Sequence, residues 1–252
     1  MLLSNVAYAS EANTALVTFN SIDFGLGPFV ISTELVTMWA IMLIITVVCY
    51  LGTRNMQREP KGLQNALEMG TEMLLGFLSG LMGKKRARMY LPFLMTFFIL
   101  ILVSNYSGLL PMAGHAWVED GTAFYKPPTS NVNVTGALAF VVFLAVIYYG
   151  VKAKGASYFK HFLEPMFFLL PINILEQFTR PLSLALRLYG NIYGEEMVVA
   201  ALAALMPFLL PLPIQVLGVL FGAVQAFVFT LLAAMYLEEA TEIGRASCRE
   251  RV

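Results

Sequence analysis

Stretches of about twenty apolar residues, the length that carries a helix across a bilayer, recur along this chain. Thr33 to Leu51, Tyr90 to Leu110 and Val132 to Val151 each form one, bounded by polar residues or by proline and glycine. A longer apolar region runs from about Phe162 to Tyr236, interrupted at Pro207 to Pro213. Its first part, Phe162 to Met206, is too long for a perpendicular crossing, as is the pair it makes with Leu212 to Leu237, so tilt or partly emerged ends are expected. Hydrophobic residues make up 58% of the chain and charged ones 13%, and the mean hydropathy is +0.72. A water-soluble globule of that composition has too little polar surface to cover itself. The chain therefore reads as an all-α integral membrane protein.

The formal net charge is zero, which says nothing about nucleic acid, and none is expected as a partner; the loops must be read separately. Between the first two apolar runs lies Gly62 to Met82, where Glu68 and Glu72 share a helical face and Leu67, Leu74, Leu75, Phe77, Leu78 and Leu81 supply apolar weight. Such a helix could cross the membrane or lie in its interface. Arg54, Arg58 and Lys61 precede it, and Lys84, Lys85, Arg86 and Arg88 follow it. With both flanks on one side, these residues join Lys152, Lys154 and Lys160 on the inner face, and the outer loop from Met112 to Ser130 keeps only Lys126. The positive-inside rule then favours five crossings and one interfacial helix, with the N-terminus outside and the C-terminus inside. Residues 1–30 read as an outer segment and 31–243 as the membrane domain; 244–252 abandon the hydrophobic pattern and read as a non-native tail. The first thirty residues lack a basic start followed by a compact apolar run, so no cleavable signal peptide is expected.

Within the last apolar region stands Arg187, in the segment Arg180-Pro-Leu-Ser-Leu-Ala-Leu-Arg187-Leu-Tyr-Gly-Asn191-Ile-Tyr-Gly-Glu195-Glu196. A guanidinium keeps its proton, and at the centre of a membrane helix it costs about 2.5–3.5 kcal/mol on insertion scales. At 100° per residue Glu176, Arg180, Ser183 and Asn191 fall within about 40° of Arg187, Glu195 lies about 80° round, and Glu196 is nearly opposite. One face is thus polar over about 22 Å. Pro181 removes one backbone hydrogen bond and favours a bend there. In the following helix Gln215, Gly218, Gly222 and Gln225 share a face, and glycines four apart admit a close neighbour. The simplest partner is the arginine helix, antiparallel, with Gln225 level with Arg187 or Asn191. A polar path of this kind can hold water and pass a cation, but a permanent charge in its middle splits it in two.

Several other features carry a plainer reading. Arg180 lies near the inner surface, where snorkelling is easy. Glu238, Glu239 and Glu242 read as a solvated terminus, His115 and His161 as loop or interface residues, and Cys49 and Cys248 as neither disulfide, metal ligand nor nucleophile. No metal site and no cofactor are expected. A secondary ion transporter and a structural membrane scaffold stand as alternatives. The first is weakened because no second copy of the arginine-bearing helix occurs in the first half.

The arginine segment resembles the signature of subunit a of the F-type ATP synthases. The likeness extends to Pro171-Ile-Asn-Ile-Leu-Glu176, Gln225-Ala-Phe-Val-Phe, Asn105-Tyr-Ser-Gly-Leu-Leu-Pro111 and Asn131-Val-Asn-Val-Thr-Gly-Ala-Leu-Ala, and covers most of residues 30 to 242 in the family's order. The resemblance implies a non-catalytic stator channel of a rotary ATP synthase in an energy-transducing membrane, a bacterial plasma membrane above all. Its partners would be a ring of c subunits, the peripheral-stalk b subunits and membrane lipid. Protons would reach a ring carboxylate through one half-channel and leave through another, with Arg187 between them. Asn191, Glu196 and Gln225 match family residues of the outer half-channel, and Glu176 lines the inner one. Glu195 adds a second carboxylate where many relatives have a small residue, so either or both could serve. Gly218 stands where some relatives carry histidine and Asn131 where some carry aspartate, so water would have to replace relay through those two positions. No nucleotide-binding loop of the Gly-x-x-x-x-Gly-Lys type occurs, which leaves ATP turnover to other subunits.

Overall fold

Glycines and prolines mark where the helices of this chain stop and turn. The computed structural model describes residues 22–23, 28–29, 33–54, 57, 62–109, 127–154, 170–206 and 209–249. Six helices lie among them: α1 (Thr33–Thr53), α2 (Leu63–Met82), α3 (Lys84–Ser107), α4 (Val132–Lys154), α5 (Leu170–Leu205) and α6 (Pro211–Arg249). A short 3-10 turn at Pro128–Ser130 precedes α4. The all-α expectation holds apart from one antiparallel pair of two-residue strands, Ile22–Asp23 with Pro28–Phe29. α1, α3, α4 and α6 are long and apolar enough to cross a membrane. α5 has the length, 36 residues, or about 54 Å, but its apolar character is diluted by Glu176, Arg180, Arg187, Glu195 and Glu196.

The helix ends differ from the apolar runs in ways the side chains explain. α3 begins six residues before Tyr90, because Lys84, Lys85, Arg86 and Arg88 are good helix formers that a hydropathy pattern leaves outside. Gly83, at φ 78°, separates it from α2 with a backbone conformation that favours glycine. α2 folds onto α3, with Leu74, Leu78 and Met82 buried and a side-chain position at Gly70 facing Met95. Phe77 also meets Phe227 of α6 edge-on, with centroids 4.9 Å apart. Pro92 and Pro181 lie inside α3 and α5 without ending them. α6 starts on Pro211, a favoured first helical position, and continues as helix to Arg249, through most of the segment read as a tail.

α6 is the spine of the packing and touches α2, α3, α4 and α5. Its buried stripe is Ala226, Phe229, Ala233, Ala234, Leu237 and Ala240. In lipid, where helices gain nothing by hiding apolar groups from water, small residues of this kind let backbones approach and gain dispersion contact. Phe97 of α3 stacks on Phe229 at 6.1 Å and 13° between ring planes. The outward faces are apolar too: Trp39, Leu43 and Ile44 on α1 and Phe140, Leu144 and Tyr148 on α4 are exposed, as expected of surfaces that meet acyl chains.

Candidate functional site: the seam between α5 and α6

α5 and α6 pack together, and three polar contacts set their register. Glu195 of α5 covers Gly218 of α6 so closely that a Cβ at Gly218 would overlap the carboxylate. Four residues earlier on α5, Asn191 Nδ2 donates to Gln225 Oε1 at 2.6 Å. Further back, Arg180 reaches Glu239 through two hydrogen bonds, Nη1 to Oε2 at 2.5 Å and Nη2 to Oε1 at 2.8 Å. As residue numbers fall along α5 they rise along α6, which is an antiparallel pair as expected, with Gln225 level with Asn191 rather than Arg187.

Arg187 lies between the second and third of these contacts. It is exposed and has no hydrogen bond or ion pair among the described residues. Behind it the seam is apolar and closed: Leu184, Leu188, Phe229 and Ala233 are all buried. Elsewhere on its own helix Leu182, Leu186 and Asn191 are exposed, and beyond the Asn191–Gln225 contact α6 leaves Val216, Leu217, Leu220, Phe221 and Val224 exposed. The cation is therefore exposed, next to the exposed Leu186, rather than enclosed in a pocket.

The glycines divide their work between two neighbours. Gly218 makes room for Glu195 of α5, as the pairing of these helices requires. Gly222 admits α3 instead: a Cβ there would lie 3.3 Å from Asn105 Cβ, and Asn105 Nδ2 donates to the Gly222 carbonyl at 3.0 Å. The expectation that both glycines serve the arginine helix is corrected at this point. A carbonyl of α6 and an amide of α3 thereby join the Asn191–Gln225 pair.

Around the Asn191–Gln225 cluster several buried polar atoms lack a hydrogen-bond partner among the described residues. They are Gln225 Nε2, Asn105 Oδ1, Ser104 Oγ, Thr129 Oγ1 and Glu34 Oε2. Thr129 sits on the 3-10 turn, which packs against α1, α3, α4 and α5, and Glu34 is in the first turn of α1. Buried polar groups are ordinarily satisfied by protein or by water, so this is the part of the molecule chemically suited to hold water. Sequence reasoning named Gln225 here but missed Glu34, Ser104 and Thr129. Asn105 was legible only as part of a family motif. Asn131 caps α4, its Oδ1 accepting from the Asn133 N–H at 2.9 Å, the usual use of asparagine before a first helical turn.

At the opposite end of the seam, Arg180 also donates to Glu176 Oε1 at 2.6 Å, so Glu176 is ion-paired one turn away on its own helix and is not beside Arg187. Glu239, expected as part of a solvated terminus, is half-exposed yet held by Arg180. Glu196 is half-buried on the position after Glu195, and Cys49 is a free, half-buried thiol. His115, His161 and the side chains of Glu242 and Cys248 fall outside the described residues.

Four helices long and apolar enough to cross a membrane, packed with a fifth that carries an exposed guanidinium between two polar clusters, define a helical membrane protein. Residues 35–238 match the family of the ATP synthase A chain. The chain is similar to ATP synthase subunit a of Moorella thermoacetica, 42% identical over 215 residues covering 85% of this chain and 93% of the relative. It is similar also to ATP synthase subunit a of Gloeobacter violaceus, 40% identical over 218 residues covering 86% and 87%. The chain belongs to the ATP synthase subunit a family. It is accordingly an integral membrane component of that complex and works with its other subunits.

Proposed function

We propose that this chain is the ion-conducting stator of a rotary ATP synthase, forming two half-channels against a ring of c subunits with Arg187 between them. Arg187 carries this reading. A guanidinium that cannot lose its proton, exposed and unpaired among the described residues, needs a counter-charge from outside them. A ring carboxylate arriving there would be drawn into its ionised form by the positive charge. It would take its proton back in whichever polar cluster it next entered. The dry seam behind Arg187 supports the division, because no run of polar side chains joins the Asn191–Gln225 cluster to the Arg180 cluster on that side.

In this reading Asn191, Gln225, Glu195 and Glu196 line the outer half-channel, with Gly218 giving Glu195 its place, and Glu176 stands at the inner mouth. α5 completes five crossings. α2 lies at the inner surface between its basic flanks, the N-terminus is outside, and the C-terminus is cytoplasmic in a bacterial plasma membrane. The b subunits of the peripheral stalk hold the chain against rotation. Arg187→Ala in the assembled synthase is expected to reduce ATP synthesis and ATP-driven proton pumping to background while the complex still assembles. Normal pumping by that variant would reject the reading and return the scaffold alternative; substrate uptake by the isolated chain would favour a secondary transporter.

A further inference from the structure

The surroundings of Arg180 show more than a cation escaping toward the headgroups. Its guanidinium grips Glu239 with both terminal nitrogens, at 2.5 and 2.8 Å, and Glu176 at 2.6 Å, and it lies 5.4 Å from the centroid of the Tyr236 ring. Its side chain is 19% exposed, against 55% for Glu176 and 51% for Glu239. The cation is thus the buried member of the cluster, and the acids form its wet rim. A planar fork meeting a carboxylate edge to edge fixes distance and angle together, which the point charge of a lysine does not do. Beside the cluster a small, mainly apolar pocket opens among α4, α5 and α6, lined by Val142, Gln177, Arg180 and Tyr236. Next along the seam toward Arg187 come Leu184, Ala233 and Leu237, all buried.

We infer that Arg180 is a positioning residue that seals the inner end of the α5–α6 seam. Clamped to Glu239 beneath Tyr236, it keeps water in the pocket from advancing along the seam behind Arg187, so that ions must pass on the rotor side. This rests on the reading of Arg187 given above. It assigns Arg180 no part in proton relay, since its guanidinium stays protonated. The seal depends on geometry more than on energy, because partly exposed ion pairs add little to stability. Variants at Arg180 and Glu239 are therefore expected to fold.

The test uses membrane vesicles bearing the complete synthase. Proton leak down an imposed pH gradient is measured after a carbodiimide has blocked the ring carboxylates. Arg180→Ala and Glu239→Gln should each raise this blocker-resistant leak several-fold over the parent. Arg180→Lys should leak to an intermediate degree, and the exchanged pair Arg180→Glu with Glu239→Arg should restore tightness. An assembled Arg180→Ala complex as tight as the parent overturns the inference, as does a leak that the carbodiimide abolishes, since such a leak runs through the rotor. If Arg180→Ala does not assemble, Glu239→Gln, which removes one charge and little volume, decides by the same criteria. Failure of the underlying reading appears elsewhere, as normal pumping by Arg187→Ala.

Discussion

The two ends of the α5–α6 seam are held by opposite chemistry. The outer end is joined by neutral amides and by one carboxylate laid over a glycine, and it is ringed by buried polar atoms without partners among the described residues. The inner end is joined by a guanidinium shared between two carboxylates, and its polar groups are mutually satisfied. Unsatisfied buried groups are ordinarily met by water, whereas the mostly buried guanidinium of Arg180 is already met by carboxylates whose outer sides are exposed, so the two ends differ in which groups still need a partner. In the proposed reading, the difference puts the water-holding part and the seal on one seam.

Substitution at Gly218 should break the outer end most severely. In Gly218→Leu the new side chain needs the volume occupied by the Glu195 carboxylate, so ATP-driven proton pumping is expected to fall about tenfold or more. Gly218→Leu combined with Glu195→Gly should recover part of it; wild-type pumping by the single variant would show that the close fit is unimportant. Gln225→Leu comes next. It strips Asn191 of its acceptor, and an interhelical hydrogen bond of this kind contributes about 0.6 kcal/mol and at most about 1.7. A modest fall in the melting temperature of the purified complex should accompany a clear loss of pumping, and unchanged pumping would take Gln225 out of the outer path.

A sharper division comes from the adjacent acids. Glu195→Gln and Glu196→Gln, assayed separately and together for ATP synthesis, should show which carboxylate serves the outer path, and parental activity in all three variants would remove both. The smallest effect is expected at the edge of the outer cluster. Thr129→Val keeps the shape of a fully buried side chain and deletes a hydroxyl that has no hydrogen-bond partner among the described residues. Stability should change by no more than about 1 kcal/mol while pumping slows by less than about twofold. A strong loss of stability would mean that the hydroxyl is bonded and the outer end is not wet there.

Much of this arrangement was visible in the residues. Apolar runs located α1, α3, α4, α5 and α6, and angular bookkeeping put Arg180, Arg187 and Asn191 on one stripe facing Gln225. The limits follow from what periodicity measures. It reports which face a residue shares but not which helix covers that face, so Gly222 was given to α5 when Asn105 of α3 occupies it. Nor does it foresee that Glu239, 59 residues from Arg180, would be the second half of a clamp. Glu34, Ser104 and Thr129 escaped for a related reason: a polar residue near a helix end looks solvated in sequence, and only the packing of the 3-10 turn against four helices buries that region.

The uncovered guanidinium also bears on how the complex is put together. In the proposed topology a chain released into the bilayer alone turns Arg187 toward acyl tails, a placement that costs about 2.5–3.5 kcal/mol at mid-membrane, and an acidic neighbour offsets part of that cost. The subunit is thereby a poorer lipid solute by itself than in company.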